Sequence, residues 1–149
     1  MKISSIRELE KIADKIKKKL SKGDTIFLYG EIGVGKTTFA RLLINKYETE
    51  KKISKSEVLS PTFNIVFEYD IIDFTIKHFD LYRLKNIKDL TNLGLFENLN
   101  QNITLIEWPE LINNKPKNRL DLFFEYKENY EQRSLTIKTN GRLKNYEFV

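Results

Sequence analysis

The stretch GEIGVGKT, residues 30–37, has the spacing Gly-x-x-x-x-Gly-Lys-Thr. This spacing is typical of a loop that binds nucleotide phosphates, because its glycines let successive backbone N–H groups point inward at phosphate oxygens. Lys36 would reach the β- and γ-phosphates, and the Thr37 hydroxyl would be a ligand of Mg²⁺. The sequence therefore predicts a site for a nucleoside triphosphate. We expect contacts from the whole loop and the next residue: Gly30, Glu31, Ile32, Gly33, Val34, Gly35, Lys36, Thr37 and Thr38.

A second acid is needed near the Mg²⁺ of such a site, generally at the end of another buried strand. The run ITLIE, residues 103–107, supplies Glu107 at a strand end, where open α/β sheets place their sites. Most proteins with this loop carry Asp at that position, so Glu107 departs from the general pattern. Thr37 and Glu107 are the predicted metal ligands.

The identity of the base follows from a missing motif. Common GTPases recognise guanine with Asn-Lys-x-Asp. The chain has NKYE at 45–48, inside the helix that follows the loop, and NKPK at 114–117, which lacks the acid. Neither fits the GTPase pattern, so ATP is favoured.

The elements that must position these residues are predicted from hydrophobic periodicity. Ser5 begins a capping box with Glu8, and an apolar stripe with helical spacing follows: Ile6, Leu9, Ile12 or Ala13, Ile16 and Leu20, with Gly23 just past the helix. Residues 24–30 form a buried strand, 36–47 a helix and 48–57 a polar connection. Strands at 58–70 and 75–84 flank a turn. Short helical pieces at 86–99 break at Gly94. A strand at 102–110 stops at Pro109. Strands at 119–126 and 134–139 form a hairpin across residues 127–133.

Composition narrows the class of protein. The chain has 149 residues, which predicts one domain over 1–149, and 40% of them are hydrophobic. With no cysteine, disulfides, thiol catalysis and zinc knuckles are excluded, and the single histidine argues against a classical zinc centre. No apolar run reaches the roughly 20 residues needed to span a bilayer, so we expect a cytoplasmic protein without a membrane partner. The net charge of +5 permits an acidic partner such as RNA, although an AT-rich genome also imposes such a lysine excess.

Three further stretches follow the loop in order: SPTFNIVFEY (60–69), HFDLYRL (78–84) and LIEWPE (105–110). With the loop they resemble the TsaE (formerly YjeE) family, over roughly residues 5–140. The resemblance implies one α/β, P-loop NTPase-like domain with a central mixed β-sheet flanked by helices; the C-terminal antiparallel hairpin completes it. It also implies a weak, Mg²⁺-dependent ATPase of bacterial tRNA threonylcarbamoyladenosine synthesis. Such an ATPase assists TsaD and TsaB, which modify the adenosine beside the anticodon of ANN-decoding tRNAs, so tRNA is reached through that complex.

The same resemblance assigns individual roles. The loop matches the family pattern GDLGAGKTT, with Glu31 and Val34 in place of its Asp and Ala. Asp80 matches the acid of HFDLYR and joins Lys36 and Glu107 as a catalytic residue. Two further residues belong to the predicted nucleotide site, Thr62 near the γ-phosphate and Trp108 beside the nucleotide. His78, the one histidine of the chain, could line the site as a polar residue, but a strand histidine with no catalytic partner is more often structural, which is the role we expect.

Two other classes of function stay open at this stage. A small-molecule P-loop kinase would share the loop, but such enzymes usually carry an arginine-bearing lid, and the arginines here form no cluster. A nucleotide-gated adaptor or RNA-binding module could stack bases on aromatic side chains. The candidates are Tyr69, Phe74, Phe79 and Tyr82, which alternate within strands and are expected in the core.

Overall fold

The computed structural model describes residues 1–128 and 130–148, over which seven strands form one sheet. The strands are β1 Lys2–Ile3, β2 Thr25–Tyr29, β3 Val66–Asp70, β4 Thr75–Asp80, β5 Asn102–Glu107, β6 Arg119–Lys127 and β7 Gln132–Asn140. The helices are α1 Ile6–Lys17, α2 Lys36–Glu50 and α3 Ile87–Thr91, with short 3₁₀ segments at Leu99–Gln101, Pro109–Leu111 and Gly141–Asn145. The strand order is β1-β7-β6-β2-β5-β4-β3.

The sheet is mixed, and its central strand is β2. Strand β2 pairs in parallel with β5 and β6, and β5 pairs in parallel with β4. The outer pairs β3–β4, β6–β7 and β1–β7 are antiparallel. Because β2, β4 and β5 run in the same direction, their carboxyl ends meet at one edge of the sheet. The predicted α/β fold with a central mixed sheet is confirmed.

Hydrophobic side chains cover both faces of the sheet. On one face, Ile26 and Leu28 of β2 belong to the larger core cluster, together with buried residues of α1 and α2. On the other, Phe27 belongs to a smaller cluster with Phe79 and Ile106. This alternation along β2 explains its continuous apolar sequence, since a strand buried on both faces has no polar side.

Helix α1 begins as predicted but ends earlier. The Ser5 hydroxyl accepts from the Glu8 N–H at 3.2 Å, whereas the Glu8 carboxylate accepts from the Ser4 N–H, one residue before the expected partner. The helix stops at Lys17, so Gly23 lies beyond its end and donates instead to the Asn102 carbonyl. Ile6 is 65% exposed, so its place in the predicted stripe was wrong.

The bounds of α2, β3 and β4 also differ from the predicted ones. Helix α2 runs to Glu50 rather than residue 47, and Glu48, predicted in a polar connection, is buried. Glu48 accepts from the Asn45 amide, the Ser56 N–H and the Ser56 hydroxyl, which ties the connection to the helix. Strand β3 begins at 66 rather than 58, and β4 ends at Asp80 rather than 84.

The predicted C-terminal hairpin is confirmed and is longer than expected, since β6 and β7 pair from Arg119↔Asn140 to Lys127↔Gln132. Asn129, within the predicted connection 127–133, lies outside the described residues. The two-residue strand β1, which was not predicted, pairs with β7 at the sheet edge. Among the described residues we find no helix whose length and apolar character would let it cross a membrane.

Candidate functional site

The loop between β2 and α2 requires glycine for its shape. Gly30 has φ +134° and Gly35 has φ +124°, backbone conformations that other residues rarely adopt. A Cβ at Gly30 would lie 2.4 Å from the carbonyl oxygen of Phe124 on neighbouring β6. Helix α2 begins at Lys36, so its free N–H groups face the space enclosed by the loop. This is an arrangement that suits phosphate oxygens.

Lys36 lies inside the loop and is 4% exposed. Its Nζ donates to the carbonyl oxygens of Gly30 at 2.5 Å and Glu31 at 2.9 Å. Burial lowers the pKa of Lys36, and the carboxylates of Glu107, Asp80 and Glu110 partly oppose that shift. The lysine is thus a partly desolvated cation held at the base of the loop.

Thr37 and Glu107, the two predicted metal ligands, are in direct contact. The Thr37 hydroxyl donates to the Glu107 carboxylate, with Oγ1 2.8 Å from Oε1 and 3.1 Å from Oε2. Glu107 ends β5 and pairs with Leu28 of β2, two residues before the loop. The sheet register therefore brings these two residues together across 70 positions of sequence.

Asp80 organises a second set of hydroxyl groups beside the first. It ends β4 directly opposite Glu107 in the register. Its Oδ2 accepts from the hydroxyls of Ser60 and Thr62, the latter at 2.9 Å, and its Oδ1 accepts from the Tyr82 N–H at 2.9 Å. Sequence reasoning selected Thr62 but missed Ser60, although Ser60 opens the same SPTF stretch.

His78, on strand β4, contacts the carboxylate of Glu107. Its side chain is fully buried, and its Nε2 lies 2.8 Å from Oε1 of Glu107. The signal in the sequence was the spacing His78-x-Asp80. Alternate residues of a strand face the same side, so both side chains point toward the site.

Trp108 follows Glu107 in the left-handed conformation, with φ +58°. Its ring lies beside that of Tyr82, with the centroids 4.8 Å apart. The Nζ of Lys36 is 4.0 Å from the centroid of the Trp108 ring. Trp108 therefore forms a wall of the site next to the buried cation.

A cleft of about 370 Å³ unites these groups. Most of the predicted site residues line it, namely Ile32, Gly33, Gly35, Lys36, Thr37, Thr38, Thr62, Asp80, Glu107 and Trp108, and Ser60 and Tyr82 join them. The other three loop residues do not line the cleft. Gly30 and Glu31 contribute carbonyl oxygens to Lys36, and Val34 is buried in the core.

The donor set of the cleft fits Mg²⁺. Among the described residues, no group of three or more His, Cys, Asp or Glu side chains forms a complete metal cage. Mg²⁺ usually binds through one or two protein oxygens and completes its shell with phosphate oxygens and waters. The Thr37 hydroxyl and the Glu107 carboxylate are hard oxygen donors of that kind, 2.8 Å apart, and would hold the ion.

Comparison with known proteins gives consistent matches. The family model described as "Threonylcarbamoyl adenosine biosynthesis protein TsaE" matches residues 3–135. Two curated relatives described as tRNA threonylcarbamoyladenosine biosynthesis protein TsaE are 40% identical over 110 residues, or 74% of this chain. The match spans 61% of the Rickettsia conorii relative and 74% of the Rickettsia bellii relative. A third relative of the same description, from Bacillus subtilis, is 31% identical over 80% of this chain and 72% of its own length.

A solved structure shows the same architecture. The crystal structure of YdiB from Bacillus subtilis superimposes with a TM-score of 0.71 at 26% identity, covering 95% of this chain and 84% of that protein.

Proposed function

Because this chain belongs to the TsaE family of threonylcarbamoyl adenosine biosynthesis proteins, we propose that it binds and hydrolyses ATP to support threonylcarbamoyladenosine formation in tRNA. The observation that carries the proposal is the contact of the Thr37 hydroxyl with the Glu107 carboxylate at the mouth of a glycine-rich loop. That contact joins the phosphate-binding element to an acid on a neighbouring strand, which is the pairing that Mg²⁺·nucleotide chemistry uses.

The phosphates of ATP would lie in the loop, against the free N–H groups at the start of α2. Lys36 now donates to two loop carbonyls, and a phosphate oxygen is a stronger, charged acceptor for the same nitrogen. We therefore propose that Lys36 turns from Gly30 and Glu31 to the β- and γ-phosphates when nucleotide binds. The glycine conformations keep the backbone in place during this exchange.

Thr37 and Glu107 would hold Mg²⁺, which supplies positive charge to the phosphate oxygens as the terminal bond breaks. Asp80 lies opposite Glu107 and could orient a water for attack. Its carboxylate already accepts from the Ser60 and Thr62 hydroxyls, and in this proposal the segment that bears them would lie near the γ-phosphate. In this proposal Lys36, Asp80 and Glu107 are the catalytic residues.

The hydrolysis would serve other proteins rather than a small substrate. We propose that the partners are the TsaB–TsaD pair of the same organism, that tRNA is reached through them, and that the reaction takes place in the cytoplasm. Residues 1–149 would act as a single domain. Coupling between nucleotide and partner binding of about 1–3 kcal/mol would be enough for ATP to favour one state of association and for hydrolysis to reset it.

The decisive experiment is multiple-turnover tRNA modification with purified cognate TsaB and TsaD. We expect sustained product with this chain, and little beyond the first turnover without it or with Lys36→Ala. Thermal denaturation of Lys36→Ala must show a folded protein for the comparison to count. Equal product in all three reactions would overturn the assignment and would favour a small-molecule kinase, for which a screen of phosphorylated metabolites is the next assay.

A further inference from the structure

His78 connects the metal-side acid to the neighbouring strand. It lies on β4, it is 0% exposed, and its Nε2 is 2.8 Å from Oε1 of Glu107. We assign Nε2–H as the donor of this contact and the Glu107 oxygen as its acceptor, which is the ordinary pairing of an imidazole with a carboxylate. The imidazole is thus a fixed donor aimed at Glu107.

The other ring nitrogen shows that packing alone does not explain this histidine. Nδ1 of His78 is buried and has no hydrogen-bond partner among residues 1–128 and 130–148. A buried polar atom without a partner costs free energy, and an apolar side chain of similar volume would avoid that cost. The nitrogen that does have a partner faces the site, which indicates that His78 acts through Glu107.

Two donors converge on a single oxygen of Glu107. Oε1 lies 2.8 Å from both the Thr37 hydroxyl and His78 Nε2. The donors come from different elements, since Thr37 is on α2 and His78 is on β4, so the carboxylate is held from two sides. Without His78, the carboxylate would keep one side-chain donor of the two and could rotate about its last carbon–carbon bond.

We infer that His78 is a positioning residue for magnesium: its Nε2–H holds the Glu107 carboxylate in the orientation that, with Thr37, receives a Mg²⁺·nucleotide complex. The inference rests on the nucleotide function proposed above. Partners that orient a metal ligand commonly change metal affinity or activity 10–100-fold when they are replaced. A positioning role can be told from a packing role by experiment. If His78 positions Glu107, replacing it should reduce only the part of the nucleotide affinity that depends on Mg²⁺.

The test is calorimetric titration of ADP with and without Mg²⁺, on wild type, His78→Leu and His78→Gln. Leu fills the site without a donor, whereas the Gln amide can reach the position of Nε2. We expect His78→Leu to reduce the Mg²⁺-dependent gain in ADP affinity about tenfold or more, with metal-free affinity unchanged. His78→Gln should restore part of the gain. Phe79→Leu, a buried change on the opposite face of β4, is the matched control and should leave the Mg²⁺ effect intact.

Other results would overturn the inference. A wild-type Mg²⁺ gain in His78→Leu would show that the histidine does not position the metal ligand. Equal losses with and without Mg²⁺ would assign it to packing. If His78→Leu does not fold, His78→Asn, whose amide is too short to reach Glu107, replaces it with the same expectation. If wild type binds no ADP, the proposed function itself fails, which is a separate outcome from any difference between variants.

A double substitution gives an independent check by turnover. In a Glu107→Ala background, which removes the acceptor of the histidine, His78→Leu should cause no further loss of kcat, because residues that act through one another are not additive. Additive losses would show that the histidine does not act through Glu107.

Discussion

The ammonium group of Lys36 lies over the face of Trp108, with Nζ 4.0 Å from the ring centroid. A cation at this distance interacts with the ring electrons, and Trp108 is the only tryptophan of the chain. If Lys36 turns to the phosphates of a bound nucleotide, the environment of the indole changes. We therefore expect ADP or ATP with Mg²⁺ to alter the intensity or wavelength of tryptophan emission.

The control for this emission experiment is Lys36→Ala, which should suppress the change. Tyr82→Phe is a second control, and it should keep the change in emission. The ring of Tyr82 lies 4.8 Å from that of Trp108, and the substitution retains an aromatic ring there and leaves Lys36 in place. Emission that does not respond to saturating nucleotide would place Trp108 away from the nucleotide.

Removal of either proposed metal ligand, Thr37 or Glu107, should reduce the rate of ATP hydrolysis far more than it reduces nucleotide binding. We expect Thr37→Ala and Glu107→Ala each to lower kcat for ATP hydrolysis about 10²–10³-fold, the usual effect of losing one preorganised electrostatic group. ADP binding should suffer less, because backbone N–H groups and Lys36 remain. Glu110→Ala removes an exposed carboxylate three residues further along and should retain activity. Wild-type turnover by a stably folded Glu107→Ala would remove Glu107 from the site.

Gly30→Ala should destabilise the protein through backbone contact. Its Cβ would lie 2.4 Å from the Phe124 carbonyl oxygen, at φ +134°. Gly23→Ala has a similarly unfavourable φ of +95°, but among the described residues other than its chain neighbours no atom lies nearer than 3.7 Å, so it reports the conformational cost alone. That cost is on the order of 1–3 kcal/mol for one strained residue. Urea denaturation should give a clearly larger loss for Gly30→Ala, and equal losses would contradict the close contact between β2 and β6.

The lowered pKa of Lys36 predicts a pH dependence of stability. Burial disfavours the charged form in the folded state, so the folded protein binds fewer protons than the unfolded chain between the lowered pKa and the ordinary value of about 10.4. The free energy of unfolding should therefore rise with pH in that window. The gain is complete above the ordinary pKa and is lost as pH falls through the lowered one.

Lys36→Met isolates this effect, because it removes the titrating group and keeps an unbranched side chain that is only one atom shorter. Subtracting the urea-unfolding curve of the variant from that of wild type cancels the titration of the tyrosines. A difference that does not change with pH up to about 10.4 would show that Lys36 is not desolvated in the folded protein.

The sequence predicts the parts of the site that depend on local chemistry. The loop glycines need particular φ values, and the buried strands carry continuous apolar runs, so 24–30 and 102–110 were recognisable without any tertiary information. Glu107 was predicted because strand ends in α/β sheets collect functional groups. Helix α1 was recognisable from its cap at Ser5.

Three features could not be predicted from the sequence, because each depends on contacts between segments that lie apart in the chain. The role of His78 requires the register of β4 against β5, which no local pattern specifies. Glu48 was assigned to a polar connection because its three donors, on Asn45 and Ser56, cannot be recognised before the chain folds back. Strand β1 is two residues long and exists through its pairing with β7, so its own residues carry no strand pattern.

The central position of β2 has a consequence for protein synthesis. Both hydrogen-bonding neighbours of this strand, β5 and β6, are made about 75 to 100 residues after it. Because chains emerge from the ribosome amino terminus first, a nascent chain that ends at α3 holds the phosphate-binding segment without either flanking strand. If the chain binds ATP as proposed, a stalled or truncated product that ends before residue 102 lacks both neighbours of β2 and should be unable to retain ATP.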